Sequence, residues 1–217
     1  MKYLAVTRPL ESTLSETRMK HHTLGTCIGA AGLLFVLNAG AHEKTPTIVQ
    51  FSGAIGSQPF ASGAGGAVVP NDVALAGVAA VNPGGRPWEL RRLRASVDVN
   101  GMLRARGEGL LLGGGANIGR PAIPRNIQAT LYCNVSVTAA ATFAAWNSEA
   151  AALDAAGNFS IHGPMTAAAT GQVSVPPNPC NLPVLLIRNS AAATTPGGTP
   201  TPGPWFAAGI VREAEDD

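Results

Sequence analysis

Residues 92–108, RLRASVDVNGMLRARGE, decide the fold because apolar and polar residues alternate on both sides of the dipeptide Asn100-Gly101. Alternation with a period of two is typical of a β-strand with one buried face. Asn-Gly between two such runs is typical of a β-hairpin turn. The segment therefore predicts two antiparallel strands joined by a tight loop.

The length of this loop follows from the requirement that each face of the hairpin stays consistent. A two-residue loop would pair Val97 with Arg104 and would place charge and core on the same face. A three-residue loop, 99–101, pairs Val97 with Leu103 and keeps the faces apart. Its last residue needs a left-handed backbone, which Gly101 supplies. The sequence predicts the three-residue loop.

In this register an outward face of the hairpin carries four arginines, namely Arg92, Arg94, Arg104 and Arg106. Arg94 faces Arg106, and like charges opposite each other cost stability. One interpretation is a solvated face, on which Asp98 and Glu108 reduce the repulsion between the arginines. The other is a binding surface for carboxylate or phosphate groups, held by the planar fork of arginine. The partner would then be an anionic polysaccharide, a lipid head group or another envelope component.

The rest of the chain also reads as short strands separated by Gly and Pro. Further strands are predicted at 47–56, 109–112, 126–138, 150–153, 158–162, 183–189 and 205–211, with a turn at 154–157. The run at 109–112 is too apolar to alternate, so it is either buried on both faces or switches sheets at the glycines that follow. Residues 194–204, rich in Pro, Thr and Gly, predict a mobile loop.

These elements predict an all-β domain, an antiparallel two-sheet sandwich of about seven or eight strands, with a closed β-barrel as the alternative. A signal-peptide helix is expected to precede it. Residues 23–41, TLGTCIGAAGLLFVLNAGA, form an apolar run that follows the basic Lys20 and ends in Ala39-Gly40-Ala41, the small residues that signal peptidase accepts. The run is barely long enough to span a membrane. Anchoring of the protein by 23–41 is the alternative to cleavage after Ala41.

The chain of 217 residues therefore divides into a short leader and one domain. We expect 1–18 to be a disordered extension or to precede the true start, 19–41 to be the signal peptide, 42–212 to be a single secreted β-domain and 213–217 to be an acidic tail. The predicted location is secreted or periplasmic. Acidic and basic residues balance after Ala41, so no affinity for nucleic acid or for membrane surfaces is predicted. The protein is expected to contact a membrane only through its signal segment, if that segment is not cleaved.

Cys133 and Cys180 are the cysteines left after cleavage. In an oxidising compartment an isolated pair predicts a disulfide.

Chemistry is sparse. No metal site, cofactor or catalytic residue is predicted, since zinc and hydrolase motifs are absent. The alternative is a secreted hydrolase that uses His162, oriented by Asp154, with a serine nucleophile. Alternation places His162 on the solvent side with Ser160, which favours an ordinary surface histidine. The primary prediction is a non-enzymatic binding or structural module of the cell envelope or extracellular space.

Several stretches resemble a family of uncharacterised secreted bacterial β-rich proteins without assigned activity. They are FSGAIGSQPF at 51–60, GRPWELRRL at 85–93, ARGEGLLLGGG at 105–115, PCNLPVLLIRN at 179–189 and PWFAAGI at 204–210. The resemblance covers nearly all of the chain after the leader. It implies export and a compact domain, and it transfers no catalytic residue to this sequence.

Overall fold

A computed structural model describes residues 45–62, 67–70, 81–122, 125–134, 144–191 and 200–212. The chain divides into the units Met1–His42 and Glu43–Asp217, and every described residue belongs to the second. The described residues form twelve strands and no helix, so the all-β prediction is confirmed, whereas the predicted number of seven or eight strands is too low. The predicted extension, signal peptide and acidic tail lie outside the described residues.

The strands are, in chain order, β1 (Thr47–Gly56), β2 (Pro59–Ser62), β3 (Ala67–Pro70), β4 (Trp88–Asp98), β5 (Met102–Leu112), β6 (Asn126–Cys133), β7 (Ala144–Asn147), β8 (Ala151–Ala152), β9 (Phe159–Pro164), β10 (Thr166–Ala167), β11 (Val184–Ala191) and β12 (Thr201–Arg212). Among the described strands, β2 and β3 pair only with each other.

The other ten strands belong to a single antiparallel sheet with the order β10-β7-β6-β11-β12-β1-β4-β5-β9, and β8 pairs with β6 off this path. β9 and β10 are at opposite ends of this order, yet only Met165 separates them in the chain. The two edges of the sheet must therefore approach each other, which makes a nearly closed, barrel-like sheet. The pairing does not confirm the predicted division into two facing sheets.

The hairpin of β4 and β5 has the register predicted from its alternation. Val97 pairs with Leu103 and Arg94 with Arg106. Gly101 adopts the expected left-handed backbone, with φ of +75°. The Oδ1 atom of Asp98 accepts hydrogen bonds from the backbone N–H groups of Asn100 (2.9 Å) and Met102 (3.0 Å). This side chain therefore fixes the loop that sets the register.

In both strands of this hairpin, the buried side chains change from odd to even positions at the same distance from the loop. Near the loop the buried side chains are Leu93, Ala95, Val97, Leu103 and Ala105, all at odd positions, whereas at the other end they are Trp88, Leu90, Leu110 and Leu112, all at even positions. The exchange occurs around Gly109, whose φ is +69°. The buried face therefore changes at the first residue of the apolar run 109–112.

The core fills the inner side of the sheet with apolar side chains from most strands, among them Phe51, Leu93, Leu131, Ile161, Leu185 and Phe206. A smaller cluster of Tyr132, Leu186 and Trp205 is separate from it. The Trp205 indole N–H donates to the carbonyl of Val81 at 3.0 Å.

The predicted disulfide is present. Cys133, at the end of β6, is bonded to Cys180 in the segment before β11, and their Cα atoms are 5.0 Å apart. Both side chains are buried in the core. The bond therefore ties the segment that leads into β11 to the neighbouring strand.

The prediction for 194–204 is wrong at its end, because β12 already begins at Thr201. Prolines lack a backbone donor, but their carbonyls can still accept. The Arg188 guanidinium donates from Nε to the Gly203 carbonyl at 2.8 Å and from Nη2 to the Pro202 carbonyl at 3.2 Å. A side chain of β11 thus supplies hydrogen bonds to this part of β12. Residues 192–199 lie outside the described residues.

Replacing Gly109 with Ala should destabilise the domain by about 1–2 kcal/mol, because a left-handed backbone is strained for any residue with a Cβ. Contact with neighbours is not the cause, since the nearest atom to an added Cβ would be 3.4 Å away. Urea unfolding measures the difference. Gly163→Ala is the matched control, because its Cβ would meet nothing within 4 Å and its φ lies outside the left-handed range. Equal stability of the two variants would contradict the left-handed backbone assigned to Gly109.

Reducing the disulfide should lower the free energy of unfolding by about 4 kcal/mol, since the bond closes a loop of 47 residues in the unfolded chain. Urea unfolding with and without reductant measures this. The Cys133→Ala/Cys180→Ala double variant should be less stable and should not respond to reductant. An unfolding midpoint of the natural chain that reductant leaves unchanged would show that the bond does not form in solution.

Candidate anion-binding groove

A groove of about 990 Å³ lies on the outer side of the sheet, over the hairpin and the neighbouring β1. All four arginines predicted for this face line it, and β12 adds a fifth, so the set is Arg92, Arg94, Arg104, Arg106 and Arg212. The side chains point outward because their neighbours along each strand are the buried core residues. The register of the hairpin thus determines both faces.

Strand pairing arranges the polar side chains of the groove, and their neighbours on β9, in two rows that cross this face of the sheet. One row runs through paired residues from β12 to β9, namely Arg212, Gln50, Ser96, Arg104 and His162. The other runs from β1 to β9, namely Ser52, Arg94, Arg106 and Ser160. Strands in a sheet are about 4.8 Å apart. The cationic groups therefore form a closely spaced array.

Acidic side chains neutralise only part of this array. Arg92 donates from Nη1 to Oε2 of Glu108 at 2.9 Å, and both side chains are largely exposed. Asp98 is buried and directs Oδ1 to the hairpin loop. In the part of the chain that the structure describes, no carboxylate forms an ion pair with Arg94, Arg104 or Arg106. These three residues are exposed, and each guanidinium carries five N–H donors.

Sequence reasoning found the arginines of the hairpin and missed Arg212, Gln50 and Ser52. Arg212 lies beside Gln50 through the pairing of β12 with β1. These strands are far apart in the chain. The alternation of Thr47–Gly56 could have indicated that Gln50 and Ser52 share a face, but not which strand that face adjoins.

The two residues of the alternative hydrolase, Asp154 and His162, have separate surroundings in the structure. Asp154 binds its own turn, since Oδ1 accepts from the backbone N–H groups of Ala156 and Asn158, both at 2.8 Å. Its hydrogen bonds with Asn158 and the turn backbone lower the pKa of Asp154. His162 is exposed beside Arg104, as its alternation predicts. Among the described residues, no hydrogen bond or ion pair joins Asp154 to His162, the contact that the alternative hydrolase would use.

Other kinds of site were sought over the described ranges. No group of three or more His, Cys, Asp or Glu side chains there could hold a metal ion. The same ranges contain no helix with the length and apolar character that a membrane crossing requires.

No family model, curated protein or solved structure matches this chain.

Proposed function

We propose that this protein is an exported binding module of the cell envelope or extracellular space, and that it holds an anionic polysaccharide in the arginine groove. The observation that carries the proposal is the exposed array of Arg94, Arg104 and Arg106, to which no described carboxylate is paired. The two-row arrangement gives the array a defined geometry.

The charges in the groove cost stability unless a ligand uses them. Arg94 and Arg106 are cross-strand neighbours, and a like-charge pair in that position destabilises a sheet by roughly 0.2–1 kcal/mol. A bound anion reverses the sign of this effect, because carboxylate or sulfate oxygens accept two hydrogen bonds from each guanidinium. The same residues thus oppose folding slightly and favour binding.

The extent of the groove favours a polymer over a single small anion. Its walls come from four strands, β1, β4, β5 and β12, and its cationic groups lie in more than one row. A chain with repeated acidic groups can meet several of them at once, so weak exposed contacts add up. A lipid head group has the same chemistry but presents its charge from a membrane surface, so the two partners can be separated experimentally.

Export is supported by the predicted signal peptide and by the disulfide between Cys133 and Cys180, because such bonds persist in oxidising compartments. An extracellular or periplasmic location would place the groove where anionic polysaccharides occur.

Replacing Arg94 and Arg106 together with Gln should weaken binding to a sulfated dextran by about tenfold, since each exposed charge contact contributes up to about 1 kcal/mol. The midpoint temperature of thermal unfolding should be unchanged or slightly higher, because the repulsion between Arg94 and Arg106 disappears. Isothermal titration at two salt concentrations measures the affinity. Arg91→Gln is the matched control, because Arg91 is an exposed arginine of β4 that does not line the groove.

Three outcomes would contradict this proposal. Equal affinity of the double variant and the control would show that Arg94 and Arg106 do not belong to the binding surface. Binding to vesicles of phosphatidylglycerol but not to the sulfated dextran would replace the polysaccharide with a lipid head group. Unfolding of the double variant would mean that the two side chains support the fold.

Replacing Glu108 with Gln should have the opposite effect on affinity. The change removes the carboxylate that pairs with Arg92, so the sulfated dextran should bind severalfold more tightly. The cost in stability should stay below about 1 kcal/mol, because the pair is largely exposed. The same titration measures the affinity, and urea unfolding measures the stability. A weaker affinity would show that the Arg92–Glu108 pair positions the ligand instead of competing with it.

A further inference from the structure

A second cavity, of about 770 Å³, lies at the end of the hairpin away from its loop, where β4 begins and β5 ends. We call it the end pocket. The core side chains Trp88, Leu112 and Phe206 reach it, and the less buried Pro121 and Ala122 form part of its wall. Its volume is in the range of ordinary small-molecule sites, about 300–1,000 Å³.

Arg125 is held in the end pocket by contacts on several sides. Its guanidinium carbon lies 5.6 Å from the ring centroid of Trp88 and 5.1 Å from that of Phe206. Nε donates to the carbonyl of Ala122 at 3.1 Å, and Nη1 donates to Oδ1 of Asn189 at 2.7 Å. A guanidinium fixed in this way loses little freedom when it binds an anion.

The end pocket is cationic without a matching acid. Arg86 and Arg120 line it with Arg125, and none of the described residues that line it is acidic. No described carboxylate forms an ion pair with any of the three. Partial burial lowers the pKa of Arg125, which reflects the cost of keeping this charge away from water. An anion bound beside it would offset that cost.

The contacts with Trp88 and Phe206 alone could be structural, because a cation over aromatic rings stabilises a fold. They do not account for two more arginines around the same cavity. They also do not account for the open space beside Gly85, where an added Cβ would meet no atom within 4 Å. Apolar walls combined with convergent cationic donors are typical of a site for an amphipathic ligand.

We propose that the end pocket binds a small organic carboxylate, with its carboxylate on Arg125 and its apolar body against Pro121 and Ala122. Arg86 and Arg120, both exposed, attract the anion to the entrance. The inference is independent of the polysaccharide groove, because the two cavities share no lining residue.

Isothermal titration with 2-naphthoate tests the proposal, with 2-naphthylmethanol as the neutral analogue of similar shape. We expect naphthoate to bind at least tenfold more tightly than the alcohol. Arg125→Gln should weaken naphthoate binding by about ten- to a hundredfold, the range for hydrogen bonds to a charged group. Arg94→Gln, on the groove, is the matched control and should change nothing.

A second variant keeps the test decisive if Arg125→Gln does not fold. Gly85→Glu places a carboxylate at the open edge of the end pocket, where there is room for it, so the fold should persist and naphthoate binding should fall severalfold. The proposal is overturned if naphthoate fails to bind at millimolar concentration, if the alcohol binds equally well, or if Gly85→Glu leaves the affinity unchanged. Sulfated dextran binding should survive in Gly85→Glu, which separates this test from that of the groove.

Discussion

The loop between β4 and β5 is the constraint on which the rest of the structure depends. Asp98 accepts hydrogen bonds from Asn100 and Met102, and Gly101 takes the left-handed backbone that a three-residue connection needs. A slip of one residue would turn every side chain of one strand to the opposite face. The loop therefore decides at once which side chains fill the core and which arginines reach solvent.

The core and the groove are two consequences of this one register. Ala95 and Val97 of β4 and Leu103 and Ala105 of β5 point inward. Arg94, Arg104 and Arg106 occupy alternate positions on the same two strands and point outward. Cross-strand pairing then extends the outward face, since β1 contributes Gln50 and Ser52 and β12 contributes Arg212. The cationic array cannot shift without moving the core, so packing energy fixes the geometry of the proposed binding surface.

Local patterns predicted the parts of the fold that neighbouring residues control. The hairpin register, the bounds of β1 and the turn at Asp154 follow from alternation and turn chemistry, and the structure has all three. Closure of the sheet depends on the distant strands β7 and β10, which are short and rich in Ala and Thr and so give no clear periodicity. The start of β12 was missed because Arg188 supplies donors to a segment whose prolines argue against a strand.

The residues of the candidate sites also divide into those that local sequence predicts and those that depend on pairing or packing of distant strands. The arginines of the groove could be found because one hairpin carries four of them, whereas Arg212 joins them only through the pairing of β12 with β1. Arg125 was missed entirely. Its role depends on Trp88 and Phe206, which come from two other strands, and nothing in the sequence around Arg125 indicates that these rings lie beside it.

Mapping of arginine side-chain signals by NMR tests the central claim most directly. The Nε–H resonances of the protein would be followed while a sulfated dextran oligosaccharide is added. If the hairpin register creates the binding surface, the largest shifts will occur at Arg94, Arg104 and Arg106, with little change at Arg91 and Arg125. Shifts confined to arginines outside the groove, or none at saturating oligosaccharide, would contradict the account.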